Sequence, residues 1–83
     1  MKLLYFAWVR QKIGRSEEDI PLPANISTVG ALMDMLVKRG PEYAAAFNDV
    51  SRLRTAVNQI HGGFDATITD SDEIAFFPPV TGG

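Results

Sequence analysis

Four short segments of the chain have the length and hydrophobic pattern of β-strands. Leu3 to Val9 is an apolar, aromatic run whose two alternating faces are both hydrophobic, which predicts a central strand. Glu17 to Leu22 runs into two prolines and is predicted at a sheet edge, where proline is tolerated. Arg52 to Gln59 alternates like a half-buried strand, and Glu73 to Phe77 is predicted as the last strand.

Between the second and third of these segments, apolar side chains recur at helical spacing. They are Val29, Leu32, Met33, Leu36 and Val37. Ser27 or Thr28 supplies the side-chain oxygen that caps the start of this helix, and Gly40 is predicted to follow its end as a C′ residue. Pro41 to Phe47 is predicted as a second, short helix that begins with proline.

Turn-forming residues separate the last extended segments. His61-Gly62-Gly63 is predicted as one turn and Asp70-Ser71-Asp72 as another, with a brief extended piece at Asp65 to Thr69 between them. The resulting order of strands and helices is not the alternation of a parallel α/β fold, so the sequence predicts the α+β class. One main helix can cover only one face of such a sheet. The opposite face, which carries Phe6 and Phe77, is therefore left partly bare unless a partner covers it.

Composition narrows the possible functions. The 83 residues have room for one small domain, and 8 Lys and Arg against 10 Asp and Glu give a net charge of -2, without the basic footprint of a nucleic-acid or membrane-surface protein. The absence of cysteine and the single histidine, His61, exclude thiolate and histidine-based metal sites within one chain, so no metal is expected. No apolar run approaches the roughly 18 residues of a membrane span. The N-terminal run is too short for a signal peptide, and a cytoplasmic protein is expected.

The last six residues, Pro78-Pro79-Val80-Thr81-Gly82-Gly83, carry most of the functional information. Two prolines stiffen the exit from the last strand, and six extended residues reach about 20 Å beyond the fold. Because glycine has no side chain, the terminal carboxylate can pass through a slot too narrow for any Cβ. The sequence therefore predicts a globular domain over residues 1–77 and an arm over 78–83 whose carboxylate a partner enzyme activates.

Two further groups of residues are weaker candidates. His61-Gly62-Gly63 is similar to the oxyanion loop of esterases, but no Gly-x-Ser-x-Gly elbow accompanies it, so a small hydrolase that depends on His61 is only an alternative. Arg10, Arg52 and Arg54 are candidates for contact with an acidic partner.

The residues from Glu73 to Gly83 are similar to the C-terminus of the small subunits of molybdopterin synthase. The similarity extends through Leu3 to Arg10, Thr28-Val29-x-x-Leu32, Ala56-Val57-Asn58 and Thr69-Asp70-x-Asp72-Glu73, and it covers most of the chain. This family has the ubiquitin-like β-grasp fold. The resemblance therefore implies a mixed sheet of four to five strands packed on one main helix, with an extended C-terminal arm.

The resemblance implies a sulfur carrier whose catalytic acids and bases lie on a large partner subunit. Gly83, preceded by Gly82, would be adenylated by a ubiquitin-activating-type adenylyltransferase that uses ATP, and a sulfur donor enzyme would then supply the sulfur of a terminal thiocarboxylate. The large subunit would transfer that sulfur to cyclic pyranopterin monophosphate, within a heterotetramer. The carrier itself is expected to bind no cofactor.

Matched position by position, the resemblance assigns Phe6 and Phe77 to an apolar patch that docks on the large subunit. His61 stands where an apolar contact residue is common in the family. The remaining candidates for partner contact are Arg10, Pro78, Pro79, Val80 and Thr81.

Rival functions share parts of this pattern. A thiamine-pathway sulfur carrier has the same fold, adenylation step and Gly-Gly terminus, but such chains tend to be shorter and to lack Phe-Phe-Pro-Pro. A protein modifier would instead join Gly83 to a lysine, and a non-covalent ubiquitin-like interaction module would work normally without Gly82 and Gly83.

Overall fold

The computed structural model describes residues 1–79, and within them a five-stranded sheet packs against three helices. The elements in chain order are β1 (Lys2–Tyr5), α1 (Ala7–Ile13), β2 (Glu17–Asp19), α2 (Val29–Val37), α3 (Pro41–Ala46), a 3₁₀ turn (Val50–Arg52), β3 (Arg54–Val57), β4 (Ile60–Gly62) and β5 (Glu73–Phe77). The strand order is β2-β1-β5-β3-β4, with β1 and β5 parallel and the other neighbours antiparallel. The predicted α+β class and mixed sheet are confirmed, and β2 is an edge strand as expected.

Helix α2 is the main helix that the sequence predicts. The Thr28 hydroxyl oxygen caps it by accepting a hydrogen bond from the Ala31 N–H at 3.2 Å. Four residues on one side of the helix are buried in the core: Val29, Leu32, Met33 and Leu36. Helix α3 begins with Pro41, also as predicted.

The end of α2 differs from the prediction. The N–H groups of Lys38 and Arg39 bond to carbonyls three residues back, at 3.2 and 2.9 Å, so the last turn tightens and Lys38 is the C-cap. Gly40 is not the C′ residue. It has an extended φ of 175° and precedes Pro41 at the start of α3.

Helix α1 replaces the second half of the first predicted strand. The strand expected over Leu3 to Val9 ends at Tyr5, and Ala7 takes a positive φ of 53° where the chain turns into the helix. Val9 and Ile13 lie one helical turn apart, and both are buried in the core. The prediction was wrong because a short apolar run fits a strand and a buried helix equally well, and packing against the core selects the helix here.

The β3–β4 hairpin turns at Asn58 and Gln59, so the turn predicted at His61-Gly62-Gly63 is wrong. Asn58 and Gln59 form a two-residue loop with φ values of 52° and 69°, the conformation of a type I′ turn. The Asn58 Oδ1 accepts a hydrogen bond from the Glu73 N–H at 3.0 Å, which fixes the loop against β5. His61 consequently lies on the edge strand β4.

The second predicted turn is confirmed at Asp70 and Ser71, where the Asp72 Oδ2 accepts a hydrogen bond from the Thr69 N–H at 2.7 Å. The extended piece expected before it is reduced to a single bridge between Thr67 and Thr28.

Strand β5 has the alternation that the sequence predicts. Ile74 and Phe76 are fully buried, whereas Phe77 on the opposite face is half-buried. The Phe76 ring lies 5.9 Å from the Tyr5 ring and 5.1 Å from the Phe47 ring, measured between centroids. These aromatic contacts anchor the strand that precedes the predicted C-terminal arm.

A carboxylate with a side chain only 9% exposed joins β2 to α3. The Glu18 Oε2 accepts hydrogen bonds from the Tyr5 hydroxyl at 2.7 Å and the Tyr43 hydroxyl at 2.6 Å. Its Oε1 lies 3.4 Å from the Nη1 of Arg15 and also 3.4 Å from the Nη1 of Arg39. Burial alone would raise the pKa of Glu18, but the hydrogen bonds from the two tyrosines and the two guanidinium charges outweigh it and hold that pKa below its ordinary value.

Candidate partner-docking face

Within residues 1–79, the sheet has one face covered by helices and one face without them. The core residues of all three helices form a single cluster with Leu3 and Phe76, so the helices lie on one side. The register places Leu4 beside Ala75, and Arg54 opposite Phe77, on the other side.

Phe6 and Phe77 are brought to neighbouring positions at one end of this second side. Tyr5 is aligned with Phe76, and the Phe6 N–H continues the pairing by donating to the Phe76 carbonyl at 3.1 Å. Phe6 is 47% exposed although it is a large apolar side chain. We call the surface formed by Leu4, Phe6, His61, Ala75 and Phe77 the docking face.

His61 extends the docking face across the edge strand. It pairs with Ala56 of β3, and its ring centroid lies 5.2 Å from that of Phe77 at an interplanar angle of 53°. A tilted aromatic pair at this distance is a favourable arrangement. His61 therefore adds flat, partly apolar surface at the position where the sequence predicted a contact residue.

The root of the predicted arm leaves directly from the docking face. Pro78 is half-buried, Pro79 is exposed, and both follow Phe77 without a turn. Val80, Thr81, Gly82 and Gly83, which the sequence analysis assigned to the arm and its reactive end, lie outside the described residues.

The arginines that the sequence offered as acidic-partner contacts have different surroundings. Arg54 lies opposite Phe77, and its Nη1 donates to the carbonyls of Leu53 at 2.9 Å and Ser51 at 3.3 Å. Arg10 is exposed on α1 and forms no ion pair within residues 1–79. The third, Arg52, lies with its guanidinium carbon 5.9 Å from the centroid of the Trp8 ring. Of the three, Arg10 has the guanidinium that is most available to a partner.

The described part of the chain contains no cluster of three or more His, Asp or Glu side chains that could hold a metal ion. Within residues 1–79, His61 has no hydrogen bond to a serine or a carboxylate, which a hydrolytic triad would require. No helix in the same residues is long and apolar enough to cross a membrane. What the described structure offers is an apolar surface at the point where the predicted arm begins.

Comparison with known proteins assigns the chain to a family. The profile described as the ThiS family matches residues 3–83. The chain belongs to the ThiS family. It is 42% identical to the molybdopterin synthase sulfur carrier subunit of Escherichia coli (strain K12), over 100% of this chain and 99% of that relative.

Solved structures of similar proteins place this ThiS-family chain in the ubiquitin-like β-grasp fold. A structure from Pyrococcus furiosus described as a candidate molybdopterin converting factor, subunit 1, has a TM-score of 0.75 and 32% identity, with 95% of each chain covered. The H. volcanii small archaeal modifier protein 1 has a TM-score of 0.78 and 25% identity, with 96% of this chain and 97% of that chain covered. The fold implied by the resemblance is confirmed.

Sequence reasoning alone missed one cluster and one pairwise contact in this ThiS-family chain. The Glu18 cluster draws on Tyr5, Arg39 and Tyr43 from separate elements, and no spacing motif marks it. In the strand predicted over Leu3 to Val9, Trp8 would lie on the same face as Phe6, but it lies in helix α1, where the Arg52 guanidinium stands over its ring. Neither contact has a local sequence signal, because the partners are far apart along the chain.

Proposed function

We propose that this protein is the sulfur carrier subunit of a molybdopterin synthase, with residues 78–83 as its arm and Gly83 as the residue that carries the sulfur. The observation that carries the proposal is the full-length similarity to molybdopterin synthase sulfur carrier subunits, which reaches 42% identity. The docking face at the root of the arm supports it, because a carrier must seat its body on a partner while its end enters that partner.

The chemistry requires activation of the terminal carboxylate, whose oxygen is a poor leaving group. In the proposed sequence, an adenylyltransferase joins the Gly83 carboxylate to AMP and releases pyrophosphate from ATP. Sulfur at the oxidation level of sulfide, supplied by a donor enzyme, then attacks the acyl carbon and displaces AMP, which gives a thiocarboxylate. The thiocarboxylate is a far better nucleophile than the carboxylate, so its sulfur can bond to a carbon of cyclic pyranopterin monophosphate. Water then cleaves the bond between that sulfur and the Gly83 acyl carbon, which restores the Gly83 carboxylate.

The large synthase subunit is the proposed partner of the docking face. Phe6, which is exposed, and the half-buried Phe77 offer an aromatic surface of the kind that is enriched in protein interfaces, and His61 extends it. Pro78 and Pro79 follow Phe77 directly and would provide a stiff spacer at the start of the proposed arm. Arg10 is proposed as a polar contact at the rim. The proposal places these reactions in the cytoplasm, where ATP is available to the activating enzyme.

Intact-mass analysis of protein from cells that make molybdopterin tests the proposal. We expect a fraction of the chains to gain the mass difference between sulfur and oxygen, localised to Gly83 by fragmentation. A variant that lacks Gly83 should lose this species and fail to support molybdopterin formation, while it keeps the far-ultraviolet circular dichroism of the parent. Normal molybdopterin formation by the variant without Gly83 would refute the proposal.

A second function is favoured by one observation, the TM-score of 0.78 with the small archaeal modifier protein 1. In that case Gly83 would form an isopeptide bond with lysines of other proteins, after the same adenylation. Incubation with ATP, an activating enzyme, a sulfur donor and candidate acceptor proteins distinguishes the two functions. Lysine adducts that contain the Gly83 carbonyl support the modifier, and a thiocarboxylate without such adducts supports the carrier.

A further inference from the structure

A groove outside the docking face is lined by one aromatic and four polar side chains, and it has a volume of about 460 Å³. The lining residues are Trp8, Lys12, Asn48, Asp49 and Arg52. Trp8 is half-buried against the core, and the Arg52 guanidinium carbon lies 5.9 Å from the centroid of its ring. One wall is therefore a fixed aromatic surface with a cation held above it.

The charge of the groove is opposite in sign to that of the whole chain. Lys12 and Arg52 have no ion pair within residues 1–79, whereas Lys2, Arg15 and Arg39 are all paired with carboxylates.

Asp49, the acidic residue in the groove, already accepts hydrogen bonds within the turn that contains it. The Asp49 Oδ1 accepts hydrogen bonds from the Ser51 N–H at 3.1 Å and the Ser51 hydroxyl at 2.6 Å. The positive charges of Lys12 and Arg52 and the negative charge of Asp49 give the lining a net charge of +1, whereas the whole chain has a net charge of -2. The groove is thus suited to a negatively charged occupant.

The groove is next to the docking face. Trp8 follows Phe6 by two residues, and Arg52 precedes Arg54, the residue opposite Phe77, by two residues. A protein that covers Phe6 and Phe77 therefore reaches the groove with a neighbouring segment of its own surface.

We propose that the groove binds an acidic segment of the protein that docks on the neighbouring face. A carboxylate of that segment lies between Lys12 and Arg52, and the side chain next to it packs on the exposed part of Trp8. Taking the large synthase subunit as that protein rests on the proposed function, but the preference of the groove for an acidic segment does not.

The first test uses a partner-independent probe, a capped hexaglutamate peptide. Trp8 is the one tryptophan of the chain, so its indole N–H gives a single, assignable resonance in the ¹⁵N-labelled protein. We expect saturable movement of that resonance on titration. Arg52→Glu should weaken the apparent affinity by about tenfold or more, because it puts a like charge into the groove. The matched control Lys38→Glu, which removes an exposed cation that lines a different groove, should change it less than twofold.

The second test measures binding of the full chain to the purified large subunit by calorimetry. Arg52→Glu should raise Kd by about tenfold and reduce the dependence of Kd on salt, and Lys38→Glu should do neither. If the large subunit binds but the two variants behave alike, the inference is overturned and the proposed function stands. If the large subunit does not bind the parent protein, the proposed function fails, and the peptide titration alone decides the inference.

Two other occupants are distinguished in the same experiments. Movement of the Trp8 resonance on deletion of residues 80–83, without peptide, would assign the groove to the chain's own terminus. Movement that depends on protein concentration would assign it to a second copy. Either result overturns the inference, as does a peptide titration that leaves the Trp8 resonance in place.

Discussion

Phe76 and Phe77 are adjacent residues of one strand with opposite environments, and they form a matched pair for testing the docking face. Phe76 is fully buried between Tyr5 and Phe47, whereas Phe77 is half-buried and packs beside His61. Replacing each with alanine removes the same atoms from two different surfaces. We expect Phe76→Ala to act on folding and Phe77→Ala to act on partner binding.

The magnitudes follow from burial. Truncating a fully buried phenylalanine costs about 3–5 kcal/mol of unfolding free energy, and the half-buried Phe77 should cost about 1–2 kcal/mol. A chain of this size has a total stability of about 4–12 kcal/mol, so Phe76→Ala removes from about a quarter to all of it. Phe76→Leu, expected to cost about 1–2 kcal/mol, is the variant that stays folded for binding measurements. An aromatic contact at the centre of an interface contributes about 2 kcal/mol or more, so Phe77→Ala should raise the Kd for the large subunit by about 30-fold.

The assay combines urea unfolding, followed by circular dichroism, with calorimetric titration of the large subunit. Phe77→Ala should lose more binding free energy than folding free energy, and Phe76→Leu should show the reverse. Equal losses of folding free energy in Phe77→Ala and Phe76→Ala, with unchanged affinity in Phe77→Ala, would show that Phe77 is an ordinary core residue and that the docking face is wrongly placed.

Three further predictions concern the fold. Glu18→Gln should lower the unfolding free energy by about 1–2 kcal/mol in urea titrations, because two tyrosine hydroxyls lose a charged acceptor. The control Glu17→Gln, on the exposed side of the same strand, should lower it by less than about 1 kcal/mol. Equal effects of the two substitutions would refute a special role for the Glu18 cluster. The pKa of Glu18 is lowered in the folded state, so its contribution to stability is complete above the ordinary carboxyl value of 4.5 and is lost as the pH falls through the lowered pKa. In urea titrations, the difference in unfolding free energy between the parent and Glu18→Gln should therefore stay constant between pH 7 and pH 5.5. The same difference should shrink when the pH is lowered below 4.5. Gln59→Gly should raise the thermal midpoint, with a gain of about 0.5–1 kcal/mol, because glycine adopts the positive φ of 69° without a Cβ penalty; a lower midpoint would contradict the assigned turn.

The parts of the fold that could be predicted have their signal in nearby residues. The apolar face of α2 repeats at helical spacing, and Thr28 marks its start, so both were predicted from one segment. Strand β5 was predicted over the observed range because its alternation is flanked by turn residues and prolines. The exposure of Phe6 was predicted from one argument, that a single main helix covers only one side of a sheet.

The parts that could not be predicted depend on contacts between distant segments. Ala7 to Ile13 are helical because Val9 and Ile13 find a core made by other elements, and nothing within the segment distinguishes this from a strand. The hairpin turn uses Asn58 and Gln59 at positive φ, whereas the glycines a few residues later offered the stronger local signal. The Trp8–Arg52 contact joins residues 44 positions apart, which no periodicity can show.

The position of β5 has a mechanical consequence. The strand is flanked on both sides, by parallel β1 and antiparallel β3, and the chain leaves it straight into Pro78. A pull on the terminus along the strand axis loads both hydrogen-bond ladders in shear, so many bonds resist at once instead of opening one after another. A partner that pulls on the last residues as it dissociates can therefore do so without unfolding the domain to which those residues are attached.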